Sequence, residues 1–187
     1  DIFTETGLVN NYQDGYLKCL VTFEGDCSQL RFQLDILDHD GNSVFEKPLG
    51  KESAEKSFSS YPFLELQTRI KSVTAWSAEK PYLYTCLVTL FDRDNRLCQC
   101  FKFKIGFRSV EIKDRNLLIN GKRIWIKGVN RHEFDADTGK TISRESMLKD
   151  IQLLKQFNFN AVRLSHYTNE PFWYELCDEH GIYLMDE

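Results

Sequence analysis

The stretch that decides the fold is residues 143–187, which reads SRESMLKDIQLLKQFNFNAVRLSHYTNEPFWYELCDEHGIYLMDE. Ser143 can accept hydrogen bonds from the first free N–H groups of a helix, and a helical stripe of apolar residues follows it. That stripe consists of Met147, Ile151 and Leu154, widened by Leu148 and Phe157. The pattern predicts a helix over residues 143–157, and the apolar run over residues 160–164 predicts a buried strand after it.

A second helix and another strand are predicted in the rest of this stretch. Pro171 fits the first turn of a helix over residues 170–180, and Gly181 is placed to end that helix in a left-handed cap. Residues 182–185 then form an apolar strand.

The strand that precedes these elements follows a predicted hairpin. Residues 116–119 and 122–129 flank Asn120 and Gly121, a pair that readily adopts the positive backbone angles of a tight turn. The resulting order of strand, helix, strand, helix, strand builds a parallel sheet with right-handed crossovers. It could begin a doubly wound sheet or a (β/α)8 barrel, although three strands are too few to close a barrel. No Gly-x-Gly-x-x-Gly follows any of these strands, which disfavours a dinucleotide-binding fold.

Residues 1–107 have the alternating pattern of an all-β domain. Strands rich in Phe, Tyr, Val, Leu and Thr are predicted over residues 16–24, 30–37, 43–46, 63–70, 82–91 and 96–105. Short strands at this spacing suggest a β-sandwich of immunoglobulin type. Residues 50–60 are polar and are expected to be a loop or an irregular edge strand.

Charge and hydropathy exclude two classes of partner. The net charge of −4 is spread over interspersed residues of both signs, so no basic face for nucleic acid is expected. No apolar run is long enough to cross a bilayer, so no membrane partner is expected. The chain begins at Asp1 rather than Met and ends in an apolar run, so both ends look cut and the compartment cannot be inferred.

The six cysteines are expected to be reduced packing residues, although a disulfide between two of them stays open. None belongs to a Cys-x-x-Cys motif, which weakens zinc and redox interpretations. They are Cys19, Cys27, Cys86, Cys98, Cys100 and Cys177.

Polar residues collect at the carboxyl ends of the three predicted parallel strands, which is where the working residues of such folds lie. These ends are Asn130-Arg131-His132-Glu133, Arg163-Leu164-Ser165-His166-Tyr167 and Asp186-Glu187. A structural interpretation competes with a functional one. In it, buried ion pairs would join Arg131 to Glu133 and Arg163 to Asp186.

The side chains at these strand ends suit a sugar ligand. Arg, His and Asn donate hydrogen bonds to hydroxyl groups and to developing negative charge. Sugar hydrolysis also needs two carboxyl groups across the scissile bond. Glu133 and Glu187 are the only glutamates at strand ends, and neither has an obvious partner. The sequence lacks a Gly-x-Ser-x-Gly nucleophile motif and a His-Glu-x-x-His zinc motif.

The motifs of the second half resemble those of family 2 glycoside hydrolases, and of β-galactosidases in particular. GVNRHE (128–133), DTG (137–139), FNAVR with SHY (159–167) and PFWYELCDEHGIY (171–183) occur in the family's order and spacing. WSAEKPYLY (76–84) also resembles the end of the family's immunoglobulin-like domain. One departure is Phe134-Asp135, which stands where many β-galactosidases have a histidine pair.

The resemblance implies a two-domain organisation and an activity. Residues 1–107 would be an immunoglobulin-like β-sandwich, and residues 108–187 a truncated N-terminal part of a (β/α)8 TIM-barrel catalytic domain. The full-length parent would be a retaining enzyme that hydrolyses terminal β-galactosides with Mg²⁺ beside the sugar.

Individual site residues are also implied by the resemblance. His132 and His166 match the family's transition-state-stabilising histidines. Arg163 and Asn130 are substrate-binding candidates.

The resemblance further implies that this chain is inactive alone. The family's acid/base glutamate, nucleophilic glutamate and main metal ligands lie beyond the stretch that matches Glu187, so neither a bound cofactor nor measurable turnover is expected. An unclosed barrel segment would leave a strand edge and apolar helix faces uncovered. We therefore expect self-association, partial disorder after about Lys113, or packing of the segment onto the sandwich.

Two alternatives remain from the sequence. β-Glucuronidase and β-mannosidase relatives share the connection from sandwich to barrel and the SHY motif, although the NRHE and CDEHGIY motifs favour a galactosidase. A non-catalytic carbohydrate-binding or scaffolding module is the alternative from another class. It is less favoured because the aromatic residues of the first half alternate with polar ones, as core residues do.

Overall fold

The computed structural model describes residues 1–24, 30–52 and 63–187, and they form two compact units. The first unit consists of Asp1–Ala75 and Tyr82–Ser109. The second unit consists of Trp76–Pro81 and Val110–Glu187.

The first unit is an immunoglobulin-like β-sandwich of two antiparallel sheets. Its strands are β1 (Ile2–Val9), β2 (Asp14–Thr22), β3 (Arg31–Leu37), β4 (Leu49–Glu52), β5 (Phe63–Ile70), β6 (Tyr84–Phe91) and β7 (Leu97–Ile105). One sheet has the order β1-β2-β5 and the other the order β4-β3-β6-β7. All neighbouring strands run antiparallel.

The core of the sandwich comes from strict alternation along its central strands. Every second residue of β2 and of β3 is buried, because successive side chains of a strand point to opposite faces of the sheet. The buried cluster includes Leu17, Cys19 and Val21 of β2, Phe32, Leu34 and Ile36 of β3, and Cys86 and Val88 of β6. Burial of each large aliphatic or aromatic side chain stabilises the fold by about 1.5–3 kcal/mol.

Five of the six predicted strands are confirmed, with ends shifted by at most two residues. The strand predicted over 43–46 is wrong. Ser43 makes only an isolated bridge to Leu37, and its hydroxyl donates to the Asp35 carboxylate instead of extending a ladder. The sequence interpretation missed β1, whose residues are at most half-buried and so carry a weak pattern. β4 is a short edge strand at the start of the predicted irregular segment, and residues 53–60 of that segment lie outside the described residues.

The second unit contains two small sheets and two helices. Its elements are β8 (Val110–Lys113), β9 (Asn116–Ile119), β10 (Lys122–Arg123), β11 (Gly128–Arg131), α1 (Arg144–Gln156), β12 (Ala161–Leu164), α2 (Pro171–His180) and β13 (Tyr183–Met185). β8, β9 and β10 pair antiparallel, with Asn120 and Gly121 at positive φ in the predicted tight turn. β11, β12 and β13 form a parallel sheet in that order, as predicted.

The predicted start of α1 and the predicted end of α2 are both confirmed by their capping residues. The Ser143 side chain accepts from the N–H of Ser146 at 3.1 Å at the start of α1. Gly181 ends α2 in the left-handed conformation, with φ of 71°. The helices pack their apolar stripes against one face of the parallel sheet, so this unit is the start of a (β/α)8 barrel.

The prediction of one continuous strand over residues 122–129 is wrong, because this segment contains β10 and the start of β11 with a break between them. The Asn160 side chain replaces the sheet ladder between them. Its Oδ1 accepts from the N–H of Lys127 at 2.8 Å, and its Nδ2 donates to the carbonyl of Trp125 at 2.9 Å. One side chain thus satisfies the backbone where the chain turns from the hairpin into the parallel sheet.

The segment Trp76–Pro81 is tied into the second unit by hydrogen bonds. The Trp76 indole donates to the carbonyl of Asp178 at 2.7 Å, and the N–H of Ala78 donates to the Tyr183 hydroxyl at 3.3 Å. The backbone of Ala78 comes so close to Gly181 that a Cβ on this glycine would lie 2.4 Å from the Ala78 oxygen.

Replacement of Gly181 by alanine should therefore destabilise the second unit strongly. We expect the free energy of unfolding to fall by about 2–4 kcal/mol, of which about 1–2 kcal/mol comes from the left-handed backbone. Urea unfolding followed by tryptophan fluorescence measures this unit, because Trp76, Trp125 and Trp173 all belong to it. Gly139→Ala is the matched control, since Gly139 has φ of 68° but open space around it. Equal losses in the two variants would contradict the steric account.

The five cysteines in the described part of the chain are free, and Cys27 lies outside it. Cys19, Cys86 and Cys177 are buried packing residues, as predicted, and burial raises the pKa of Cys19 to about 11 and of Cys86 to about 12. The packing prediction is wrong for Cys98 and Cys100, which are exposed near the end of an edge strand.

Neither of the two helices in the described ranges is long and apolar enough to span a membrane.

Candidate active site

The register of the parallel sheet brings the three predicted strand ends side by side. Asn130 pairs with Arg163, and Arg163 pairs with Met185 on the other side. The preceding residues of the three strands, Val129, Val162 and Leu184, pack with the helices. Because side chains alternate along a strand, Asn130 and Arg163 point to the face that the helices do not cover.

The two predicted histidines follow β11 and β12 and lie next to each other. The ring centroids of His132 and His166 are 5.5 Å apart in an edge-to-face arrangement, and Tyr167 lies beyond, 6.5 Å from His132. The His166 side chain is 63% exposed, so its ring is open to a ligand. Ser165 and His166 are joined by a cis peptide bond.

Arg163, His166 and Glu187 form a connected polar group at the same edge of the sheet. Oε1 of Glu187 accepts from Nε of Arg163 at 2.8 Å and from Nη2 at 2.6 Å. Oε2 of Glu187 lies 3.1 Å from Nδ1 of His166. Hydrogen bonds from Arg163 and from His166 lower the pKa of the Glu187 carboxyl below its ordinary range, so it is an anion at neutral pH.

Arg131 points the other way, into the helices, and is 8% exposed. Its Nε donates to Asp150 of α1 at 2.9 Å, and its Nη1 donates to Asn169 at 2.8 Å and lies 3.9 Å from Glu133. The guanidinium also stacks 3.7 Å from the ring centre of Trp173 of α2. Arg131 therefore connects the end of β11, directly before His132 in the chain, to both helices.

Glu133 is held by the backbone of the loop before α2. The N–H of Glu170 donates to its carboxylate, at 3.2 Å to Oε1 and 3.1 Å to Oε2, and the Tyr167 hydroxyl donates to its carbonyl at 3.3 Å. The carboxylate of Glu133 thus contacts nitrogen atoms of Glu170 and Arg131, as that of Glu187 contacts nitrogen atoms of Arg163 and His166. That neither glutamate has a second carboxyl group as its catalytic partner stays a prediction.

Of the two ion pairs in the structural interpretation, one forms. Arg131 pairs with Glu133, whereas Arg163 pairs with Glu187 in place of Asp186. The Asp186 carboxylate instead accepts a hydrogen bond from the Tyr174 hydroxyl at 2.9 Å. No local sequence pattern pointed to Asp150, Asn169 or Trp173, because their spacing from Arg131 matches none.

No group of three or more His, Cys, Asp or Glu that could hold a metal ion occurs within the described ranges. The described residues therefore offer no such group for the Mg²⁺ that the resemblance implies.

An immunoglobulin-like sandwich followed by the first strands and helices of a (β/α)8 barrel, with two histidines side by side at the strand ends, is the organisation that the resemblance to sandwich-plus-barrel glycoside hydrolases implies. Sequence comparison agrees with that class. The family described as "Glycosyl hydrolases family 2" matches residues 1–108, and its TIM barrel domain matches residues 110–187. The chain belongs to glycosyl hydrolase family 2.

Curated relatives match the whole chain. It is 44% identical to a β-galactosidase of Priestia megaterium, covering 100% of this chain and 18% of the relative. It is 41% identical to a β-galactosidase of Clostridium acetobutylicum, covering 100% of this chain and 20% of the relative. The chain thus spans about a fifth of the length of these curated relatives.

Solved structures of β-glucuronidases share the fold. The Bifidobacterium dentium β-glucuronidase complexed with coumarin-3-O-glucuronide matches with a TM-score of 0.90 at 26% identity, over 100% of this chain and 30% of that one. The Parabacteroides merdae β-glucuronidase matches with a TM-score of 0.86 at 28% identity, over 99% of this chain and 23% of that one.

Proposed function

We propose that this chain forms part of a retaining β-galactosidase and supplies one wall of its sugar site. The observation that carries the proposal is the edge-to-face contact of His132 and His166 at neighbouring strand ends, 5.5 Å between ring centres. In this proposal the two imidazoles stabilise the transition state, and Arg163 and Asn130 bind the substrate. The identity of 41–44% to proteins named β-galactosidase supports the choice of sugar.

The proposed role of these residues is orientation and charge stabilisation. Hydrolysis of a glycoside passes through an oxocarbenium-like transition state, and fixed hydrogen-bonding groups that hold the sugar hydroxyls lower its free energy. Both glutamates at the strand ends already contact other groups. Glu187 contacts Arg163 and His166, and Glu133 contacts Arg131 and the N–H group of Glu170. We therefore assign the acid/base and nucleophilic carboxylates, and the ligands of Mg²⁺, to other parts of the complete enzyme.

β-Glucuronidase is the second candidate, because the solved structures named above are β-glucuronidases. Charge favours the galactoside. A glucuronide carries a carboxylate and needs an available cation, whereas Arg163 already gives two N–H groups to Glu187. β-Mannosidase has no specific observation in its favour.

The test is an assay of a complete protein that contains this chain, with aryl β-galactoside and aryl β-glucuronide side by side. We expect a higher kcat/KM for the galactoside, and a preference for the glucuronide would overturn the narrower assignment. The 187-residue chain alone should show no turnover of either substrate, since the glutamates at its strand ends, Glu133 and Glu187, already contact Arg131 and Arg163.

The remaining parts of the proposal concern partners. We propose no nucleic-acid or membrane partner. We also propose that the isolated chain self-associates through uncovered apolar residues such as Leu153 of α1 and Phe157 directly after it, which are 42% and 66% exposed. Static light scattering should give a mass above that of the monomer.

A carbohydrate-binding role for the proposed sandwich domain, residues 1–107, predicts millimolar or tighter binding of galactose, and we expect none.

A further inference from the structure

The position of one proton at the site follows from the contacts of Glu187. A carboxylate accepts hydrogen bonds and cannot donate one, so its contact of 3.1 Å with Nδ1 of His166 requires the proton on that nitrogen. Without that proton, two lone pairs would face each other. The competing donor is Nη2 of Arg163, which lies farther from Nδ1, at 3.4 Å, and already has a contact of 2.6 Å to Glu187.

We propose that Glu187 is a positioning residue that fixes the tautomer and the orientation of the His166 ring and the orientation of the Arg163 guanidinium. This inference rests on the proposed function, in which His166 acts on the bound sugar. Glu187 acts through its two neighbours, and contact with the sugar is not part of its role.

The tautomer of His166 decides whether the exposed ring nitrogen donates or accepts a hydrogen bond with the sugar. With the proton on Nδ1, the neutral imidazole presents Nε2 as a hydrogen-bond acceptor. A sugar hydroxyl can therefore donate to Nε2. Arg163 supplies donors beside it, and its Nε and Nη2 are held by the Glu187 carboxylate.

A glutamine at position 187 should reverse the tautomer with almost no change in shape. The two N–H groups of Arg163, at 2.6 Å and 2.8 Å, would hold the amide oxygen. The amide NH2 would then face Nδ1 of His166 and donate to it, because it cannot accept. The ring proton would move to Nε2, and the nitrogen that meets the sugar hydroxyl would become a donor.

The experiment reads the imidazole ¹⁵N shifts of a histidine-labelled complete protein that contains this chain at pH 9, well above the ordinary titration range of histidine. A His166→Gln variant assigns the signals. We expect the Nδ1–H tautomer in the unsubstituted chain and Nε2–H in Glu187→Gln. The matched control is Glu179→Gln on the exposed side of α2, which should leave the His166 signals unchanged. A wild-type ring with its proton on Nε2, or an unchanged tautomer in Glu187→Gln, would overturn the proposal.

Kinetics of the complete protein test whether the tautomer is used. Replacing the carboxylate that orients a metal-bound histidine typically changes activity by roughly 10- to 100-fold, and by analogy we expect a loss of that size in kcat/KM for Glu187→Gln. A tautomer switch with unchanged kcat/KM would overturn the positioning role. A complete protein without glycosidase activity would instead overturn the proposed function, while the NMR result would still decide the ring geometry.

Discussion

Replacement of His132 or His166 by alanine should lower kcat/KM for an aryl β-galactoside by about 10²–10³-fold in a complete protein that contains this chain. Each substitution removes one fixed polar group at the strand ends where the transition state would lie. Because the rings are in contact, at 5.5 Å between centroids, the double variant should lose less than the product of the two single losses.

The control for this prediction is His180→Ala, which removes an exposed imidazole from the last turn of α2. It should leave kcat/KM within about twofold, since a surface substitution away from the site typically changes stability by less than about 0.5 kcal/mol. Steady-state kinetics and circular dichroism of each variant separate a lost catalytic group from a lost fold. A folded His132→Ala and a folded His166→Ala that both keep full activity would remove the basis of the proposed sugar site.

The second large effect is on stability, for Arg131→Met. Its guanidinium is buried and contacts Asp150 at 2.9 Å, Asn169 at 2.8 Å and the ring of Trp173 at 3.7 Å. Methionine fills much of the volume but leaves the Asp150 carboxylate and the Asn169 amide without their donor. We expect the free energy of unfolding of the second unit to fall by about 2–4 kcal/mol, a little below the usual cost of breaking a buried pair because Asp150 is 42% exposed.

Urea unfolding by tryptophan fluorescence measures this loss, since all three tryptophans lie in the second unit. Arg144→Met is the matched control. Arg144 is exposed and stacks on Phe172 at 4.4 Å, and its loss should cost about 1 kcal/mol or less. Arg131→Lys should recover only part of the stability, because an ammonium cannot make the same forked contacts. An Arg131→Met chain as stable as the Arg144→Met chain would show that the buried cation does not hold the helices.

The elements of the second unit could be predicted well from the sequence because their signals are local. The cap at Ser143, the apolar stripe of α1 and the glycine at the end of α2 each depend on residues within about one helical turn. The predictions that failed involve competition over longer range. The strand predicted over 122–129 is divided because Asn160, more than thirty residues away, takes its backbone hydrogen bonds.

The sequence by itself determined the order of strands and helices, the family, and the membership of His132, Arg163 and His166 in one strand-end group. Only the tertiary structure decided what each charged group does. Parallel register places Glu187, 24 residues from Arg163, against both Arg163 and His166. The alternation of the strand turns Arg131 into the helices, although it lies between two proposed site residues, Asn130 and His132. These outcomes depend on which residues face each other across a sheet, and the periodicity of a single strand does not contain that information.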